Sequence, residues 1–192
     1  MESPSLLAYT PQKTTTTAQP RIPSSVFEGL FVRGLEPNSQ LAQGLKAEGY
    51  DPKCPDIDYP VLVWKRCVAL ARDLIYGDLS DAEAYRMLGR KLTEGFADTL
   101  VGRVAAVALP MIGATGVVQR LPRYLAMMGR PDLEVQLGSV GERARRVTIP
   151  DMHNRPEFIA GALEVALERA QVRPNITVED RSHLGFRLLV RW

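Results

Sequence analysis

Cysteine and histidine are scarce in this chain of 192 residues, with two of each: Cys54, Cys67, His153 and His183. A zinc or catalytic metal centre needs three or four ligands converging on one point, and no two of these four stand at ligand spacing, so no metal site is expected. Neither cysteine belongs to a paired motif, which argues against a disulfide framework. Long apolar runs are also missing: nothing approaches the roughly 20 residues that span a bilayer. The start carries Glu2, no early basic cluster and only a brief apolar pair at Leu6 and Leu7, unlike a signal peptide. A cytoplasmic location is the expectation. Charge of one sign is lacking too, since 24 Lys and Arg face 22 Asp and Glu for a net +2, and no nucleic-acid partner is expected.

The motifs of common chemistries are absent. Gly113-Ala114-Thr115-Gly116 lacks the Lys and the glycine spacing of a phosphate-binding loop and suits a helix start. In Gly138-Ser139-Val140-Gly141 the serine is not centred as in a nucleophile elbow, and the segment falls where a hairpin is expected. Asp180, Ser182 and His183 are neighbours along one strand, where adjacent side chains diverge, so they do not make a triad. The chain is expected to be no enzyme, with no catalytic residues, no metal and no cofactor.

What is present is a set of strong helical patterns followed by alternating ones. Residues 1–23, rich in Ser, Thr, Gln and Pro, hold too little apolar surface to offset the entropy of ordering them and are read as a disordered arm. Residues 24–192 are read as one domain, an ordinary size for one core. Val26, Phe27, Leu30 and Phe31 suit a helix, although Gly29 and Gly34 leave a strand open. Asn38 caps a short helix ending at Gly49. Val61, Trp64, Cys67, Val68, Ala71, Leu74 and Ile75 form one stripe behind Pro60, and Ser80 with Glu83 makes a capping box for a helix carrying Tyr85, Leu88, Leu92 and Phe96. The apolar pattern continues through Leu100, Val104 and Val107 to Pro110, and a further helix carries Val117, Val118, Leu121, Tyr124, Leu125 and Met128.

Beyond Gly129 the period changes. Leu133, Val135 and Leu137 alternate with polar residues, and Arg145–Ile149 is a second β-prone run. A helix then opens at Pro156, with Asn154 as its cap and Glu157 three residues later, and leads into a hairpin of Asn175–Asp180 and Phe186–Trp192. The fold class is therefore α+β: a helical N-terminal part packed on a small antiparallel sheet, with strand-strand-helix-strand-strand order at the C-terminus.

Two surfaces invite function. Trp64, Cys67, Phe96, Leu100, Val104, Leu125 and Met128 would line an apolar pocket between helices and sheet, although such a stripe ordinarily serves as core. In the last strand Phe186, Leu188, Val190 and Trp192 would face the core, leaving Leu189 between Arg187 and Arg191 on the other face, a composition that suits a protein interface. The leading expectation is a non-enzymatic sensory or regulatory module for a small apolar ligand. The alternative is a ligand-free interaction or scaffold module, dimeric or heteromeric.

From Val26 to Trp192 the sequence resembles a family of uncharacterised proteins found as many paralogues in myxobacteria. The resemblance rests on Val26-Phe27-Glu28-Gly29-Leu30-Phe31-Val32-Arg33-Gly34-Leu35, Tyr59-Pro60 to Trp64, Leu88-Gly89-Arg90, Glu94-Gly95-Phe96, the Pro156-Glu157-Phe158 helix and Val190-Arg191-Trp192. More distantly, the order of elements is similar to the superfamily of heme-nitric-oxide-binding domains, four-vinyl-reductase-type domains and TRAPP subunits. That likeness implies an apolar ligand or a partner protein, often in a dimer. It does not carry heme with it: the helices from Pro60 to Met128 contain no histidine, and the Tyr-x-Ser-x-Arg motif is absent.

Overall fold

The computed structural model describes residues 20–192. Most of the expected N-terminal arm lies outside the described residues, and its last part is a strand, β1 (Arg21–Pro23), paired antiparallel with β2 (Asp58–Pro60). Arg21 donates to the Asp58 carboxylate at 2.6 Å across this ribbon. Helix α1 (Ser24–Phe27) runs directly into a π-helical segment, Glu28–Gly34, so the helical reading of this stretch holds. Helix α2 (Ser39–Ala47) is capped by the Asn38 side chain and stops before Gly49, which takes φ 103°.

Helix α3 (Val61–Ile75) buries Val61, Trp64, Cys67, Val68 and Ala71, the expected stripe, while its last apolar residues, Leu74 and Ile75, are exposed. Helix α4 (Asp81–Phe96) begins with both halves of the Ser80–Glu83 capping box. The chain then turns at Thr99, whose buried hydroxyl accepts from Gly102 N–H and starts α5 (Leu100–Gln119). Gly113, at φ 62° and ψ 176°, breaks α5 into two helical pieces, which is where a helix start was expected. Helix α6 (Leu121–Met127) has Pro122 in its first turn.

Strands β3 (Gln136–Gly141) and β4 (Ala144–Ile149) are followed by α7 (Pro156–Arg169), β5 (Asn175–Ser182) and β6 (Gly185–Arg191) in one antiparallel sheet of order β3-β4-β6-β5. This is the expected α+β arrangement. Two details differ. Leu133 and Val135 precede the sheet instead of alternating within β3. The expected cap of α7 does not form, because Asn154 is held by other partners, and Arg155 takes the cap position without a side-chain bond.

The sheet turns Val147, Ile149, Ile176, Phe186, Leu188 and Val190 to the core, and α7 packs across β5 and β6. On the other side α7 lies against α4, the most extensive helix contact in the molecule. Glycine permits it: a Cβ on Gly89 would collide with the Phe158 carbonyl, and one on Gly161 with the Arg86 carbonyl. Ion pairs close the same seam, with Arg86 on Glu164 at 2.5 Å and Arg90 on Glu168 at 2.9 Å. An aromatic cluster of Phe27, Phe31, Tyr50, Tyr59 and Trp64, with Phe158 edge-on to Trp64, joins the N-terminal helices to α7.

Candidate ligand-binding site

Between α4, α5, α6 and α7 lies a cavity of about 120 Å³. Its origin is in the side chains. Helix α7 presents Ile159, Ala162, Leu163 and Ala166 at helical spacing, and α5 opposes them with Gly102, Ala106 and Leu109. Four of these seven residues have a methyl group or less, so the two helices meet without filling the space between them. Leu92 and Phe96 of α4 and Leu121, Tyr124 and Leu125 of α6 complete the walls, with Ile22, Val26 and Trp64 at one end.

Of the residues proposed from sequence, Trp64, Phe96, Leu125 and Met128 line this cavity together, and Cys67, Leu100 and Val104 do not. Cys67 is fully buried, and burial pushes its thiol up to about 12. Leu100 and Val104 face solvent, 85% and 77% exposed. The reason is that α5 is apolar nearly all round, so periodicity does not tell its inner face from its outer one. The inner residues are Gly102, Ala106 and Leu109, two of them small, and Leu100, Val104, Val107 and Met111, within one narrow arc, form an exposed stripe. Among the missed lining residues, Gly102, Ala106, Ala162 and Ala166 carried the signal of small residues facing one another across two helices.

The interface expected around Leu189 also changes. Arg187 and Arg191 are exposed, but Leu189 is only 7% exposed. It pairs in register with Arg146 of β4 and Thr177 of β5, and the Arg146 guanidinium reaches Glu179 of β5 at 2.7 Å. That ion pair spans the strand that carries Leu189 and roofs it over.

Polar groups at the Trp64 end are fully engaged. The Trp64 indole N–H donates to Asn154 Oδ1 at 3.1 Å, and Asn154 Nδ2 donates to Asp151 at 2.8 Å. Asp151, wholly buried, also accepts from Arg130 at 2.9 Å and from the His153 backbone N–H. Arg130 is 4% exposed and donates further to Asp132, whose carboxyl it holds below the usual range through hydrogen bonding. Thr93 Oγ1 is spent on the Ala162 carbonyl. The arrangement offers an apolar chamber with a rigid polar floor and no nucleophile-base pair; among the described residues no group of three or more His, Cys, Asp or Glu is placed to hold a metal ion.

A protein-family model, DUF2378, a family of proteins of unknown function, matches residues 21–192. The chain belongs to DUF2378. No curated protein matches it significantly in sequence. Among solved structures, an oxygen-binding H-NOX domain related to soluble guanylate cyclases is similar at TM-score 0.58 and 17% identity, over 88% of this chain and 90% of that one. A structure concerned with heme redox potential and protein-induced porphyrin distortion gives TM-score 0.64 at 12% identity, over 88% and 96%. A mutant of T. tengcongensis H-NOX gives 0.56 at 14%, over 88% and 93%. These likenesses establish the fold.

Heme does not fit this member of the fold. The cavity, about 120 Å³, is on the scale of an apolar cavity of about 150 Å³ that accepts benzene, far smaller than a porphyrin. Its α5 wall offers Gly102, Ala106 and Leu109, none with an axial donor. His153 lies outside the lining in the Asp151 turn, and His183 is exposed between β5 and β6. Tyr124, Met127 and Met128 bring donor atoms to the lining, but from α6 and its end, in a space too small for a porphyrin.

Proposed function

We propose that this protein is a non-enzymatic sensory or regulatory module that binds a compact apolar molecule in the chamber between α4, α5, α6 and α7. The observation that carries the reading is the chamber itself, walled by small and apolar side chains of opposed helices. An apolar cavity of about 150 Å³ in another protein accepts benzene, which sets the scale of the ligand. The likeness to H-NOX domains supports the reading, because a domain of that fold is described as oxygen-binding and the family as distorting a heme. In this chain the same architecture keeps a smaller ligand in place of a porphyrin. Occupancy would act through α5, which packs on α7 and only lightly on α4 and α6, and which is divided at Gly113.

Native mass spectrometry on the protein purified from its own host tests this. A small mass released on denaturation is the expected result, and filling the chamber with Ala162→Leu abolishes it. A bare chain that takes up no small apolar molecule on incubation overturns the reading.

A second reading draws on the exposed stripe Leu100, Val104, Val107 and Met111, each 75–86% exposed. An apolar helical face of this kind suits self-association. Light scattering would then show a dimer that Val104→Glu with Val107→Glu converts to monomer; a monomeric wild type at tens of micromolar sinks it.

A further inference from the structure

The polar side chains that line the chamber are accounted for one by one, and two remain without work. Arg130 and Asn154 are engaged with Asp132, Asp151 and Trp64, and Thr93 with a backbone carbonyl. Tyr124, half-buried, and Arg169 also line the chamber, and neither the hydroxyl of the one nor the guanidinium of the other has a hydrogen-bond or ion-pair partner among the described residues. Arg169 belongs to the last turn of α7 and is solvent-exposed, so it stands where the chamber opens. Every acid of α7 is already committed elsewhere: Glu157 to Arg181, Glu164 to Arg86, and Glu168 to Arg90. The cation at the mouth of an apolar space therefore has no internal anion. A cation in the last turn is favoured by the helix dipole whatever the ligand, which accounts for a positive charge there but not for its place in the chamber wall.

We infer that the chamber takes a compact monocarboxylate, its apolar body held between α5 and α7 and its carboxylate received by Arg169, with the Tyr124 hydroxyl as a further donor. The planar guanidinium fork matches a carboxylate in two parallel hydrogen bonds. The apolar body is on the order of six carbons, the size that a cavity near 150 Å³ accepts. This inference rests on the chamber being the ligand site, and the test separates the two claims.

Isothermal titration calorimetry of the full-length protein at pH 7 with benzoate and with benzamide, its neutral isostere, compares the same body with and without the charge. Benzoate is expected to bind about tenfold tighter than benzamide in low salt, a preference that shrinks as ionic strength rises. Arg169→Met brings benzoate down to the affinity of benzamide, and Arg169→Lys keeps part of the preference. Equal binding of the two probes, or an unchanged preference in Arg169→Met, overturns the carboxylate while the apolar chamber stands. Failure of both probes to bind overturns the chamber as well.

Discussion

At the scale of single residues, what decides reactivity is how far a side chain lies from water. Cys67 and Cys54 are chemically the same group, yet Cys67 is fully buried on the core stripe of α3 and Cys54 is exposed in the loop before β2. Only the thiolate reacts, and burial pushes the Cys67 thiol up to about 12, far above neutral pH. A thiol reagent at pH 8 should modify one cysteine per native chain rapidly and the second only on unfolding. Two fast equivalents would mean that α3 opens locally. The sequence placed Trp64 and Cys67 on one helical face, and both are buried. It did not show that Trp64 lines the chamber and that Cys67, equally buried, does not, since a stripe gives a face and not what lies opposite. Nor could it show Asn154 bonded to Trp64 across 90 residues; that contact displaced the cap expected from local spacing.

Among the elements, the α4–α7 pair carries the architecture, because it sets the distance between the chamber and the sheet. Gly89 and Gly161 each face a carbonyl of the other helix, so an added methyl has to push backbone, which cannot rotate out of the way. Gly161→Ala should cost about 3 kcal/mol, the upper end of ordinary overpacking. Seen as a thermal transition, that is a fall of roughly 6–12 °C for a chain of this size. A fall under about 2 °C would show that α7 slides to absorb the methyl. The sequence reading set neither glycine apart, although close approach is a standard reason for a glycine inside a good helix. The elements whose ends carry their own chemistry were legible: the Ser80–Glu83 box, the Asn38 cap, and Gly113 as a helix start. Helix α5 was not, for its apolar residues surround the axis, and only packing against α7 distinguishes the inner residues from the outer ones.

For the whole molecule, the titratable groups define a window of pH within which the fold keeps its full stability. Asp132 is held below its ordinary value of 3.8 by hydrogen bonding to Arg130. Asp51 is held down by Lys46, Glu83 by Ser80, and Glu179 by Arg146, the last two from an ordinary 4.5. A carboxyl depressed in the folded state stabilises above its unfolded value, and that contribution is lost as pH falls through the folded one. Stability should therefore hold down to about pH 5 and decline below about 4. On the alkaline side the sign reverses. Cys67 is raised from 9.0 to about 12, and burial raises Tyr50 from 10.0, so both stay neutral in the folded chain while the unfolded chain ionises. Their contribution is complete below about pH 9 and is lost progressively above it. Urea midpoints measured from about pH 3 to 11 should trace a plateau between about 5 and 9 with a fall on each side. A midpoint that keeps rising between about pH 9 and 11 would contradict the burial of Tyr50 and Cys67. Because those two residues belong to the same core as Trp64, such a result would also remove the rigid wall on which the chamber depends.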